Sequence, residues 1–162
     1  MGFVSTNEMQ HFGFEDCQLL SWESIGPDIV IQADALIVEA NNSQNTNFTR
    51  SYADTVTVKF ENGKIIEGCK EGFRYLDAND VLVSETEDEI LEEAALEQIL
   101  KQCQTNTMYW FACVQNSPEE YCLSIEFPPA EAYDTTPGDS FRIQIRCTKV
   151  TVRWERYLNR VQ

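Results

Sequence analysis

Histidine is almost absent from this chain: His11 is the only one in 162 residues. The six cysteines, at positions 17, 69, 103, 113, 122 and 147, include no CxxC pair. These two absences exclude the common zinc spacings, so neither metal nor cofactor is expected. No GxSxG, HExxH, GxGxxG or P-loop pattern occurs, so no catalytic residue is named and a non-catalytic protein is expected. Asp77-Ala78-Asn79-Asp80 begins like a calcium loop, but Val81 and Leu82 stand where a ligand and a glycine are needed. A Cys-His nucleophile pair would have to use His11, which sits beside Phe12 and Phe14 and reads as packing or surface.

No run of eighteen apolar residues is present, so no transmembrane helix is expected. The start, MGFVSTNEMQHFGFEDC, lacks a basic segment followed by an apolar one, so no secretory signal is expected either. On that reading the cysteines are free thiols in a reducing cytoplasm, acting mostly as small hydrophobes. Positive charge is scarce as well: 12 Lys and Arg stand against 27 Asp and Glu, a formal charge of -15. Such a field disfavours nucleic acid and anionic membrane surfaces as partners. It serves solubility in any case, and more specifically it suits a basic protein partner.

The charge is unevenly placed. Arg142, Arg146, Lys149, Arg153, Arg156 and Arg160 face only Glu155 as a local counter-charge. Residues 75–100 hold nine Asp or Glu and no Lys or Arg. The basic group reads as a solvated strand face that balances acidic neighbours across a sheet.

What is plentiful is strand pattern. At 43% apolar residues, with nine Phe, six Tyr and three Trp, one domain spanning 1–162 can bury a core, with residues 1–14 as a packed or loose arm. Residues 17–23 and 29–38 read as strands around the turn signal Gly26-Pro27-Asp28, the second long enough to bend. In 55–61, Val56, Val58 and Phe60 alternate with polar residues. Asn62-Gly63 then predicts a hairpin to 65–69, with Glu61 opposite Lys64 and Glu67 on the apolar face, a placement best explained by a bulge or a wet sheet end. Residues 72–75 and 81–83 read as short strand pieces, 108–115 and 121–127 as strands, and 128–140 as a loop with a type II turn at Pro137-Gly138. Phe141, Ile143, Ile145 and Cys147 share one parity while Val150, Val152 and Trp154 share the other, so a bulge is predicted near Thr148.

One helix is predicted, over residues 85–102. Ser84 with Glu87, or Thr86 with Glu89, offers a capping box, and Leu91, Ala95, Ile99 and Cys103 recur at spacing four beside Leu96. Acidic residues in its first turns would favour the helix dipole and account for part of the acidic block. The fold class expected is α+β, a mainly antiparallel, curled or barrel-like sheet with this one covering helix.

Two stretches, DCQLLSWESIGPDIVIQADALIVEANN and IQIRCTKVTVRWERY, give the chain a resemblance to small, acidic, β-rich bacterial proteins, including immunity proteins of contact-dependent toxin systems. The resemblance implies a cytoplasmic protein that binds and neutralises a cognate basic toxin. It carries no individual residue over. The residues themselves place the partner surface in the acidic segment, at Asp77, Asp80, Glu85, Glu87, Asp88 and Glu89. The alternative is a carrier of a small apolar ligand, its barrel-like pocket lined by residues such as Trp110, Tyr121 and Trp154. Oligomeric state is left open by the sequence.

Overall fold

The structure, a computed structural model, describes residues 2–102, 109–128 and 138–162. Cys103, the first residue of the 108–115 strand and the turn residue Pro137 lie outside the described residues. The strands are β1 (Phe3–Thr6), β2 (Phe12–Gly13), β3 (Gln18–Ile25), β4 (Asp28–Asp34), β5 (Ile37–Val38), β6 (Ser51–Ala53), β7 (Val56–Glu61) and β8 (Lys64–Lys70). They continue with β9 (Phe73–Leu76), β10 (Leu82–Thr86) and β11 (Glu89–Leu91), then the α-helix α1 (Glu93–Gln102). After it come β12 (Tyr109–Ser117), β13 (Glu120–Glu126), β14 (Ser140–Arg146), β15 (Lys149–Trp154) and β16 (Tyr157–Arg160).

Ten strands form one sheet in the order β1-β15-β7-β4-β3-β12-β13-β14-β8-β11. A second sheet runs β16-β6-β5-β2, and β10 with β9 make a third. Every pairing among the described strands is antiparallel. Alternation decides which face each strand buries. Val56, Val58 and Phe60 of β7 are buried, as are Tyr121, Leu123 and Ile125 of β13 and Phe141, Ile143 and Ile145 of β14. Phe60 and Tyr121 touch at 5.8 Å between ring centroids although three strands separate β7 from β13 in the order. Side chains from both halves of the sheet therefore share one core.

The expected curled or barrel-like closure is not found. β1 and β11 are the two ends of the order, and no pairing joins them. Closure needs a continuous staggered ladder around the whole circumference. Here the end strands have only four and three residues, and β3 meets β12 through only Tyr109↔Leu19 and Trp110↔Gln18. Alternation in the sequence marks a buried face; it does not say how the last strand ends.

The hairpin predicted at Asn62-Gly63 is also corrected. Asn62 adopts φ 52°, as a tight turn requires, but β7 pairs with β4 and β15 whereas β8 pairs with β14 and β11. The chain crosses here from one half of the sheet to the other. Cys147-Thr148 crosses alongside it, with the Thr148 amide donating to the Glu61 carbonyl at 2.9 Å. The parity change near Thr148 is thus a passage between two strands, β14 and β15, rather than a bulge within one. Glu61 faces Lys149 across β15, at 3.7 Å, in place of Lys64. Glu67 is exposed, so the apolar-face placement fell with the hairpin register.

The helix begins at Glu93, eight residues later than predicted, because 82–86 and 89–91 are strands paired to 73–76 and 68–70. Its buried contacts come from Leu96 and Leu100, while Ile99 is half-buried and Ala95 exposed. Leu96 rests on β8 at Gly68, where a Cβ would lie 2.8 Å from Leu96 Cδ2. The missing side chain at Gly68 is what lets α1 dock. Replacing Leu96 by Ala is expected to cost about 2–4 kcal/mol in a denaturant titration. Ala95→Gln, on the exposed side, should stay within about 0.5 kcal/mol. Equal effects would contradict this seating of the helix.

Candidate protein interface

β8 and β9 follow one another with only Glu71 and Gly72 between them, and β10 and β11 with only Glu87 and Asp88 between them. The pairing offset is the same on both sides of this break. Glu85 faces Arg74, Thr86 faces Phe73, Glu89 faces Lys70 and Leu91 faces Gly68. The segment is therefore a single long hairpin. Its base belongs to the ten-stranded sheet; its outer part, β9 and β10, pairs only with itself among the described residues.

The six acidic residues singled out in the sequence all lie on this hairpin, with different duties. Asp77 builds the tip: its Oδ1 accepts from the amides of Asn79 at 2.8 Å and Val81 at 3.0 Å. Asp80 sits beside it at φ 60°, in the left-handed region that Asp tolerates better than bulkier residues. Glu85 pairs with Arg74 at 2.9 Å. Asp88 latches the break to the sheet, accepting from the Gly72 amide at 2.7 Å and pairing with Arg142 at 3.0 Å. Glu87 and Glu89 are exposed and form no ion pair among the described residues. The capping boxes expected at Ser84 and Thr86 are not formed, since both residues are in β10. Helix-dipole stabilisation therefore does not explain these carboxylates.

Apolar side chains are interleaved with the charge. Leu76, Val81, Leu82, Val83 and Ile90 are 49–68% exposed and make up five of the twelve large hydrophobics exposed among the described residues. Of these five only Ile90 falls within the helix predicted over 85–102; the others carry no sequence signal of exposure.

The basic strand face behaves differently. Arg142 pairs with Glu71 at 2.8 Å and with Asp88, Arg146 with Glu120 at 2.7 Å, Lys149 with Glu61, and Arg156 with Asp54 at 3.9 Å. Neighbouring carboxylates thus already engage most of it, as the solvated-face reading requires.

The aromatics named for an apolar pocket fill other roles. Tyr121 and Trp154 are buried in the core, and Trp154 packs against Phe3, Phe12 and Tyr157. Trp110 is partly exposed and donates its indole N–H to the Phe14 carbonyl at 3.0 Å. A groove of about 910 Å³ does run between α1, β8 and the β3–β4 turn, but it is half open and rimmed by Glu23, Lys64, Glu67, Glu97 and Lys101. It is not the barrel interior that the carrier reading needs.

His11 lies 3.0 Å through Nδ1 from the Asn41 carbonyl. Cys17, Cys69, Cys113, Cys122 and Cys147 are unpaired. Among the described residues no group of three or more His, Cys, Asp or Glu is arranged to hold a metal ion, and no helix is long and apolar enough to cross a membrane. No family model, curated protein or solved structure matches this chain.

Proposed function

We propose that this chain is a non-catalytic module that binds a basic protein, with neutralisation of a cognate basic toxin in the cytoplasm as its setting. The observation that carries this reading is the hairpin of residues 68–91, where exposed apolar side chains and the carboxylates of Glu87 and Glu89, unpaired among the described residues, share one element. Apolar area supplies affinity, and like-signed charge at its margins steers encounter. The unpaired cysteines support a reducing compartment. The net charge of -15 supports a basic protein over nucleic acid.

The test uses the product of a basic toxin-like reading frame adjacent to this one in its genome, with association followed by surface resonance at several salt concentrations. Asp77 and Asp88 hold the hairpin's shape, so the informative variant is Glu85→Gln, Glu87→Gln, Glu89→Gln. At low salt it should associate about tenfold more slowly, with dissociation little changed. The control neutralises Glu119 and Glu126, outside the hairpin. Equal rates for the two variants would remove the hairpin from the reading, and absence of binding to the basic protein would remove the reading itself.

A further inference from the structure

We infer that the outer strand of this hairpin, residues 82–91, takes its partner by strand addition, and that the strand it accepts is an extended segment with Lys or Arg at every second position. The inference deepens the protein-binding reading and rests on it. Among the described residues, nothing pairs with the far side of β10 or of β11. With its pairing offset kept through the break from Ser84 to Leu91, this edge runs eight residues, about 26 Å along which the outward-facing backbone groups have no strand partner. Exposed edges of that length are normally shortened, interrupted by proline or guarded by lysine. This one contains no Pro and no Lys; its irregularities are a register shift between Leu82 and Ser84 and the break at Glu87-Asp88.

Strand alternation sets the recognition chemistry. Carried through the break, the alternation of β10 and β11 places Glu85, Glu87 and Glu89 on one face of the edge, about 7 Å apart. Ser84, Thr86, Asp88 and Ile90 fall on the other, where Asp88 is already engaged by the Gly72 amide and Arg142. An added strand would place every second residue beside the three carboxylates, where opposite charges across a ladder attract. Its remaining residues would meet Thr86 and Ile90, which suits Val, Ile or Thr. A second copy of this chain is the wrong occupant. Pairing 82–91 with itself would set carboxylates against carboxylates, which repel across a ladder.

The probe is a blocked heptapeptide of alternating Lys and Val, titrated into the full chain by calorimetry, with amide hydrogen exchange read along 82–91. Two N-methylated versions carry the methyl groups on alternate residue sets, and a fourth peptide of the same sequence alternates D and L residues. Strand addition predicts that one N-methylated set keeps its binding while the other loses about tenfold or more, since only one side of a strand faces the edge. It also predicts that alternate amides within 82–91 gain protection, and that the Glu85→Gln, Glu87→Gln, Glu89→Gln variant weakens binding. If the D/L peptide binds as tightly and no alternating protection appears, strand addition is overturned while acidic docking stands. If no peptide binds at any salt concentration, strand addition falls, and a failure of the basic protein to bind in the preceding test separately removes the broader reading.

Discussion

Raising the pH above about 9 is expected to destabilise this fold steeply, through groups that have nothing to do with the acidic surface. Cys17 is fully buried, and that burial pushes its thiol from an ordinary value of 9.0 up to about 12, with the negative charge of Asp34 adding to the shift. Cys113 is pushed up for the same first reason. Burial also lifts the Tyr121 phenol to about 12. The sign follows from proton counting. Between roughly pH 9 and 12 the unfolded chain has released these protons and the folded chain still holds them, so stability falls as pH rises. The stability is fully present below the unfolded values and is lost progressively towards the folded ones. At about 1.4 kcal/mol for each unit, the Cys17 shift alone is worth on the order of 4 kcal/mol. That is a large share of the 5–15 kcal/mol typical of a whole domain. Urea midpoints measured from pH 7 to 11 should drop accordingly, and Cys17→Ala should flatten part of the drop while costing some packing at pH 7. A midpoint independent of pH over that range would show that these thiols are not sequestered.

The contrast between buried thiols and an exposed acidic hairpin also separates what the sequence made legible from what it did not. Strands with one buried face could be read directly: 56–61, 121–125 and the two parities either side of Thr148 are present as alternation. Asn62 was legible as a turn residue because its backbone needs the left-handed region. What alternation cannot encode is the partner. Residues 56–61 and 64–70 read equally well as a hairpin or as two strands crossing between halves of a sheet, and that choice depends on β14 and β15, eighty residues later. The segment 85–91 reads as helix for a related reason. Neither of its faces is buried, so it has no strand period, and its acidic residues suit a helix N-terminus as well as a sheet edge. The spacing of Leu91, Ala95 and Ile99 then carried the helix pattern back too far. Charge in the sequence singles out six residues that the fold gathers on one hairpin; the form of that hairpin, an open edge, is set by long-range pairing with 68–76.

That edge depends on one glycine, and replacing it should detach the hairpin while sparing the core. At Gly72 an added Cβ would lie 1.9 Å from the Thr86 carbonyl oxygen and 2.6 Å from the Glu87 carbonyl carbon. Both obstacles are backbone, so no side-chain rotation relieves them. The Gly72 amide donates to Asp88, which reaches on to Arg142, itself paired with Glu71. The break between the two parts of the hairpin is therefore pressed together and cross-linked at the same point. Gly72→Val should force the strands apart there, at a local cost of about 3 kcal/mol or more. Because β9 and β10 pair with nothing else among the described residues, the damage has no route through the ladder into β4, β7 or β13. Amide exchange should accelerate about a hundredfold across 73–91 and stay near the parent rate in those three strands. Binding to the basic partner should fall with it, since the carboxylates remain but no longer lie on an ordered edge. Asp88→Asn is the companion variant: it keeps an acceptor for the Gly72 amide and loses only the ion pair with Arg142, so a milder change in the same direction is expected. Unchanged exchange across 82–91 in Gly72→Val would mean that the two strands are not held at this point. Accelerated exchange throughout β4, β7 and β13 would mean that the hairpin is part of the core and not an element built on its edge.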